Sequence, residues 1–293
     1  MDGVININKP AGMTSHDVVS RLRKILNIKK IGHTGTLDPD ATGVLPMCVG
    51  RGTKLSEMLM SSEKQYRAGL TLGVSTDTQD SSGTILSQRQ VSVGEAEIRD
   101  VISRFIGELE QIPPMYSAIK VEGKKLYELA REGKEIEREP RKVTIYNIGI
   151  ESINLDKNLI EMTVDCSKGT YIRTLCNDIG EALGCGGHMS ALTRTRSGRF
   201  EIENTVTLEE IEQRAQENDF GFITPLEEVL VEYRKVILAE KNAWRVRNGI
   251  KTSVAGVCEG EIYRIFDEQG NFLALAKQEN GSFAMLKTFF GGV

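Results

Sequence analysis

Apolar residues recur along this chain with two different periods. Val18, Val19, Leu22, Ile25 and Leu26 follow helical spacing, which predicts a helix with one face in a core. Thr14-Ser15-His16-Asp17 stands just ahead of them. It has the form of a capping box, in which the first and fourth residues satisfy each other's backbone N–H groups. Ile98, Val101, Ile102, Phe105 and Ile106 give a second helical stripe. Elsewhere the period is two. Tyr66, Ala68, Leu70 and Leu72 alternate with Arg67, Gly69 and Thr71, and Ile160, Met162, Val164 and Cys166 alternate with their neighbours. Both stretches predict strands, and Tyr66 falls on the apolar face of its strand. A turn at Ser167-Lys168-Gly169 then leads to Thr170. Thr170 is expected to cap a helix with Ile172, Leu175, Ile179 and Leu183 inward, closed by Gly184.

The pattern changes character twice. Residues 114–142 contain eight Lys or Arg and six Glu, punctuated by Gly123 and Gly133. With little apolar surface to bury, this segment is expected to be an exposed insertion that orders on binding a partner, with a short helix at 126–131. Beyond about residue 235, residues 262–266 and 272–275 flank a Gly-containing turn, a β-hairpin pattern, and 282–290 is a further strand candidate. The expected division is a large domain over 1–235 and a small β-rich domain over 236–293.

Composition narrows the class. The 293 residues include no stretch long and apolar enough for a membrane helix, and Met-Asp-Gly-Val-Ile-Asn-Ile at the start is not a secretory signal. Cys48, Cys166, Cys176, Cys185 and Cys258 are odd in number and widely spaced, which fits reduced thiols and a cytoplasmic location. The net charge of −4 argues against nucleic acid at first sight. Its distribution weakens that objection. Residues 201–230 alone carry a net −8, so the remainder is positive by 4. Arg21, Arg23, Lys24, Lys29 and Lys30 form one acid-free cluster, and Arg194, Arg196 and Arg199 form another.

Several chemistries are set aside. Gly50-Arg51-Gly52-Thr53-Lys54 misses the phosphate-loop pattern. Cys185 and His188 have ligand-like spacing but no second pair, so no metal site is expected. Asp77 and Asp80 are expected to shape the turn that ends the Tyr66 strand. One stretch stands out, from His33 to Pro46: His-Thr-Gly-Thr-Leu-Asp-Pro-Asp-Ala-Thr-Gly-Val-Leu-Pro. It sets Asp38 on a loop rich in Gly, Pro and Thr. From the residues alone, Asp38 is either a turn-capping aspartate or a reactive carboxylate presented by a loop.

The same stretch resembles the G-H-x-G-x-L-D-P-x-A-x-G-x-L signature of the TruB family of pseudouridine synthases. Lys9-Pro10-Ala11-Gly12-Met13-Thr14-Ser15 is similar to the family's K-P-x-G-x-T-S start. Lys64-Gln65-Tyr66-Arg67, Thr76-Asp77-Thr78-Gln79-Asp80, Pro113-Pro114-Met115-Tyr116-Ser117-Ala118 and Gly169-Thr170-Tyr171-Ile172-Arg173-Thr174-Leu175 resemble its later blocks, in order.

The resemblance implies an α+β fold, with a mixed, largely antiparallel sheet flanked by helices and a C-terminal PUA-like RNA-binding domain. It implies an isomerase that turns a uridine in the T-loop of tRNA into pseudouridine-55. The C1′–N1 bond breaks, the base turns over, and C5 bonds to C1′. Substrate and product have the same composition, so no cofactor is needed, and one ionised carboxylate suffices to start the reaction. By resemblance that carboxylate is Asp38, with Arg173 as the partner that lowers its pKa and aims it. Tyr66 would stack on the base or relay a proton. Tyr171 and Leu192 would line the uracil pocket, and His33 would fill the gap left by the flipped base. The 114–142 insertion would close over the T-loop, with Lys124, Lys125 and Arg131 meeting phosphates. The expected partner is the T-arm of tRNA, bound by a monomer, without membrane, metal or small-molecule cofactor. Two alternatives stand beside this: a guide-RNA-dependent pseudouridine synthase, and a non-catalytic tRNA-binding or folding module.

Overall fold

One ten-stranded sheet forms the frame that carries the site. The computed structural model describes residues 1–117, 119–121 and 123–291, and leaves the side chains of Lys120, Lys125 and Arg131 outside the description. In chain order the strands of the large sheet are β1 (Gly3–Lys9), β2 (Ile31–His33), β3 (Thr42–Val49), β4 (Lys64–Leu72), β5 (Gly107–Gln111), β6 (Arg141–Asn154), β7 (Leu159–Cys166), β8 (Gly187–Ser197), β9 (Phe200–Glu201) and β10 (Ile223–Thr224). Their spatial order is β10-β1-β3-β8-β4-β7-β6-β5, with β2 beside β3 and β9 beside β8. Every pairing is antiparallel except β3 with β8. That parallel contact is only two residue pairs long, Thr193↔Thr42 and Arg194↔Gly43. The sheet is therefore mixed and largely antiparallel, as the family resemblance implied.

The predicted helices form for the expected reasons. Helix α1 (Ser15–Leu26) buries Val18, Val19, Leu22 and Leu26. Thr14 Oγ1 accepts from Asp17 N at 3.1 Å, and Asp17 Oδ2 accepts from Thr14 N at 2.9 Å, completing the capping box. Helix α2 (Glu95–Ser103) buries Ile98, Val101 and Ile102, but ends before Phe105, and Ile106 is exposed. After α3 (Leu126–Arg131), helix α4 (Ile172–Ala182) packs on β8 and buries Ile172, Leu175 and Ile179. Its N-cap is Tyr171, not Thr170. The Thr170 hydroxyl donates to Ser167 O at 2.9 Å, within the turn that precedes the helix. Helix α5 (Leu208–Gln216) starts with a second capping box, Thr207 with Glu210.

The insertion has more order than its charge pattern implied. Met115, Leu126 and Leu129 are buried together, with Ile119, Val121 and Ile136 packed against them. Met115 and Ile119 precede a short hairpin, Leu126 and Leu129 lie on α3 and Ile136 follows it, so no single period in the sequence displays them. Leu126 N and Tyr127 N tie α3 back to Ile119 O and Ser117 O.

A separate four-stranded sheet follows: β11 (Arg234–Leu238), β12 (Ile262–Asp267), β13 (Phe272–Glu279) and β14 (Ser282–Thr288), in that spatial order. The expected hairpin is β12–β13, antiparallel. Sequence reading missed β11, which pairs parallel with β12, and helix α6 (Glu240–Arg247), which packs on the sheet. Leu275 and Phe289 of this β-rich unit share a core with Val4, Val44, Cys48 and Leu226. Burying each such side chain is worth roughly 1.5–3 kcal/mol, enough to hold the unit against the large sheet. Among the described residues, no helix is long and apolar enough to cross a membrane.

Candidate active site

Asp38 lies on the loop between β2 and β3, and that loop is fastened along its whole length. Thr34 donates to Pro46 O through both its N–H (3.1 Å) and its hydroxyl (3.2 Å). Leu37 N donates to Ser15 Oγ at 2.9 Å, which ties the loop to α1. Pro39 O accepts from Gly12 N at 2.9 Å and from Lys9 Nζ at 2.8 Å. Lys9 is fully buried, and its ammonium also donates to Pro10 O and Met13 O. Burial pushes that ammonium down to about 8, against the pull of Asp40 and Asp38 nearby. Leu37 and Ala41 sink into the main core. Gly43 has φ +98°, and a Cβ there would overlap the Arg194 carbonyl oxygen. Only glycine fits where β3 meets β8.

Arg173, in the first turn of α4, reaches across to this loop. Its Nε lies 3.0 Å from Asp38 Oδ2, and its Nη2 donates to Asp38 Oδ1 at 3.4 Å. The pair is the two-pronged fork that arginine alone provides. The other contacts of the guanidinium hold it still. Nη1 donates to Thr78 O at 3.2 Å, and Nη2 to Tyr116 O at 2.8 Å. Asp80 Oδ2 stands 3.7 Å from Nη1. Asp80 also shapes its turn as expected, accepting from Thr78 Oγ1, Ser82 N and Ser82 Oγ. Its second role, as another acid beside Arg173, was not visible in the sequence, where the two residues are far apart.

The arginine side chain is 6% exposed and that of Asp38 is 38% exposed, so the guanidinium is enclosed while the carboxylate still meets solvent. Burial pushes the Asp38 carboxyl up. Arg173 pulls it down, Asp80 pushes it up again, and the net direction is upward. The sequence-based expectation of a lowered pKa is therefore corrected: the enclosure outweighs the ion pair. A carboxylate aimed by a fork and partly withdrawn from water is more basic than one in water.

Of the other expected residues, Tyr66 and Tyr171 lie near enough to feel the charge of Asp38. Tyr66 is buried on β4, with Val164 of β7 and Arg194 of β8 as its cross-strand neighbours. Leu192 pairs with Ala68, two positions along from the Tyr66 pair, and so shares the face of the sheet that carries Tyr66. Tyr171 immediately precedes α4, and its N–H donates to Gln111 Oε1 at 3.0 Å. The Tyr171 phenol is pushed up by burial and feels both Arg173 and Asp38. His33 ends β2, half-buried at the start of the Asp38 loop. Its Nδ1 accepts from Gly35 N at 3.3 Å, and burial and the charge of Arg194 push its pKa down. With Nδ1 accepting, Nε2 is the nitrogen that carries the hydrogen of the neutral ring.

The second basic cluster is largely engaged within the protein. Arg194 is buried, Arg196 pairs with Asp165 at 2.7 Å, and Arg199 donates to Glu228 O. In the first cluster, Arg21 pairs with Glu212 and Arg23 donates to Ile31 O. Lys24, Lys29 and Lys30 are exposed. In the insertion, Lys124 lies 3.5 Å from Glu132, while the side chains of Lys125 and Arg131 lie outside the described residues. Among the described residues no cluster of His, Cys, Asp and Glu has the arrangement of a metal site. His188 instead faces Val74 O through Nδ1.

Comparison with known proteins gives this geometry a context. Residues 23–172 match the family described as "TruB family pseudouridylate synthase (N terminal domain)", and residues 173–231 match "tRNA pseudouridylate synthase B C-terminal domain". The chain is 55% identical to a protein of Alkaliphilus oremlandii named "tRNA pseudouridine synthase B", over 85% of this chain and 82% of that one. It is 44% identical to a Clostridium kluyveri protein of the same name, over 99% and 100% of the two chains. Among solved structures it is similar to a chain of "Crystal Structure of a Cbf5-Nop10-Gar1 Complex", with TM-score 0.73 and 30% identity, covering 98% of this chain and 85% of that one. A chain of "Structure of H/ACA RNP bound to a substrate RNA containing 2'-deoxyuridine" also superposes with TM-score 0.73, at 28% identity over 99% and 85% of the two chains. The chain belongs to the TruB family of pseudouridine synthases.

Proposed function

We propose that this protein isomerises a uridine in the T-loop of tRNA to pseudouridine, acting alone and without a guide RNA. The observation that carries the proposal is the forked Asp38–Arg173 pair, held on a fastened loop beside buried Tyr66. Asp38 is the one carboxylate on that loop aimed by an arginine fork. In the proposed reaction it acts as the anionic nucleophile or base that starts cleavage of the C1′–N1 bond. Arg173 holds its orientation, so the barrier is lowered mainly by positioning. The target base leaves its stack to reach Asp38. Tyr66 lies against the base and Leu192 and Tyr171 border it, while His33, at the rim, fills the gap in the RNA. The insertion bears on the same machinery, because Tyr116 O holds the Arg173 guanidinium. Movement of the insertion onto RNA would be felt directly at the aiming arginine. The β-rich unit after residue 234 adds a second RNA contact, as in a PUA-like domain.

The relatives named tRNA pseudouridine synthase B are more similar in sequence than the chain of the H/ACA RNP structure. This favours the unguided reading over the guided one. The test is tritium release from a T-arm hairpin carrying 5-tritiated uridine, with no other RNA or protein present. The wild type should release tritium and Asp38→Asn should not. Wild-type release only in the presence of a guide RNA would favour the guided reading, and no release under either condition would favour a binding module.

A further inference from the structure

Helix α4 carries Arg173 but is poorly provided at its own start. Helices α1 and α5 each begin with a capping box made by their own residues. The N-cap of α4 is Tyr171, whose side chain makes no bond to the first turn. The Thr170 hydroxyl is bonded to Ser167 O instead. The second helical residue is Arg173 itself, a cation at the end of the helix where the backbone dipole favours anions. A first turn with no side-chain cap and the wrong sign of charge is expected to fray. Yet this turn has to aim the fork that holds Asp38.

What secures the turn comes from a residue far away in the chain. Gln111 is the last residue of β5, at the edge of the large sheet, and is 2% exposed. Its Oε1 accepts from Tyr171 N at 3.0 Å, and its Nε2 donates to Tyr171 O at 3.3 Å. One carboxamide thus takes both peptide groups of the cap residue, as a partner residue does in an antiparallel strand pair. Tyr171 O also accepts the first bond of the helix, from Leu175 N at 3.1 Å. The clamp therefore grips the residue from which the helix is built.

The chain that leaves Gln111 returns to the same turn. It runs through residues 112–115 to Tyr116, whose carbonyl accepts from Arg173 Nη2 at 2.8 Å. Pro113 and Pro114 are buried within this segment. They fix φ at two successive positions and bring no N–H of their own. A short, stiff segment is therefore fastened at one end to Tyr171, through Gln111, and at the other to Arg173. A role limited to satisfying the peptide groups of Tyr171 would need neither the stiff segment nor the second attachment.

We propose that Gln111 is a positioning residue for the isomerisation, acting through Arg173: its carboxamide ties the start of α4 to the head of the insertion and so keeps the fork aimed at Asp38. The inference rests on the proposed function. No bond is made or broken at Gln111. What it contributes is orientation, so its loss falls on the rate of the chemical step and not on RNA affinity.

The test uses Q111M, Q111E and R173K in the full chain, with each glutamine variant also combined with R173K. Q111M keeps the bulk and removes both bonds. Q111E keeps the acceptor for Tyr171 N and loses the donor to Tyr171 O. Tritium release from a 5-tritiated T-arm RNA is followed in single turnovers, well below the melting temperature of each variant. At saturating RNA, Q111M should be about tenfold slower than wild type, with Q111E between them, while the RNA concentration at half-maximal rate moves by less than about threefold. In the R173K background either glutamine variant should cost little more, because the fork is already lost. A change confined to the half-maximal concentration, or losses that multiply in the double variants, would overturn the proposal. A second readout needs no RNA. The Arg173 Nε–H signal in a nitrogen-15 NMR spectrum, identified by its loss in R173K, should move or broaden in Q111M and Q111E. An unchanged signal would also overturn the proposal. Should Q111M fail to fold, Q111E carries both readings. Wild-type inactivity on T-arm RNA would sink the proposed function, while the Arg173 signal would still decide whether Gln111 holds the arginine.

Discussion

Replacing Arg173 by lysine keeps the charge and removes the fork. In the native protein Asp38 is held by two guanidinium nitrogens at 3.0 and 3.4 Å, and the same group donates to Thr78 O and Tyr116 O. A lysine ammonium is a single point with a shorter reach, and it can serve Asp38 or the carbonyls, not all of them. Losing one charge-assisted prong removes roughly 1.5–3 kcal/mol of interaction. If that interaction is realised in the transition state, each 1.4 kcal/mol is about tenfold in rate. The expected fall in kcat is therefore about ten- to one-hundred-fold. The two orphaned carbonyls add about 1–3 kcal/mol each in lost stability, so Tm should fall as well. RNA affinity, which depends mostly on phosphate contacts, should stay within a few-fold. Single-turnover tritium release, thermal melting and filter binding on one preparation separate the three effects. R173K with near-wild-type turnover and an unchanged Tm would refute the reasoning, because the fork would then be ornamental to both fold and chemistry.

Three further outcomes follow from the same geometry. Folding raises the Asp38 pKa and the ionised form is the active one. The acid limb of the kcat/KM profile should therefore lie above the ordinary aspartate value of 3.8, with activity lost as pH falls through it; a limb at or below that value would place Asp38 in a more solvated setting. Gly43→Ala should destabilise the protein severely, since its φ of +98° and the Arg194 carbonyl leave no place for a Cβ; a soluble variant with wild-type Tm would contradict the close β3–β8 approach. Leu126→Ala with Leu129→Ala should loosen the insertion, because it empties a small core apart from the main one. Hydrogen exchange should quicken within 114–142 and RNA affinity should drop, while protection of the main sheet stays unchanged; slowed or unaltered exchange there would mean the cluster does not hold the insertion.

Much of the frame was legible because local signals and tertiary packing agree. Thr14 and Asp17 close the box that their spacing predicts, and the alternation from Tyr66 to Leu72 becomes a strand with Tyr66 inward. Thr170 misled because the helix begins one residue later than the cap pattern placed it, and its hydroxyl serves the Ser167 turn instead. The insertion's core was hidden because Met115, Leu126 and Leu129 meet through a hairpin and a helix, not through one period. Asp38, Tyr66 and Arg173 were found through family resemblance, and the fold brings them together. Asp80 and Lys9 were not found, since contact with Arg173 or with Pro39 O depends on chain reversals that no local pattern encodes. Arg194 did leave a signal. It lies two residues after Leu192, and period two places both on one face, so a pocket-lining Leu192 implied an inward Arg194.

The most direct measurement is nucleoside mapping of an unmodified tRNA transcript incubated with this protein alone, by mass spectrometry beside an Asp38→Asn control that still binds the RNA. The expected result is pseudouridine at the T-loop uridine with the wild type and none with the variant. Pseudouridine formed equally by Asp38→Asn, or none formed by the wild type, would contradict the claim that this loop carboxylate drives isomerisation of tRNA.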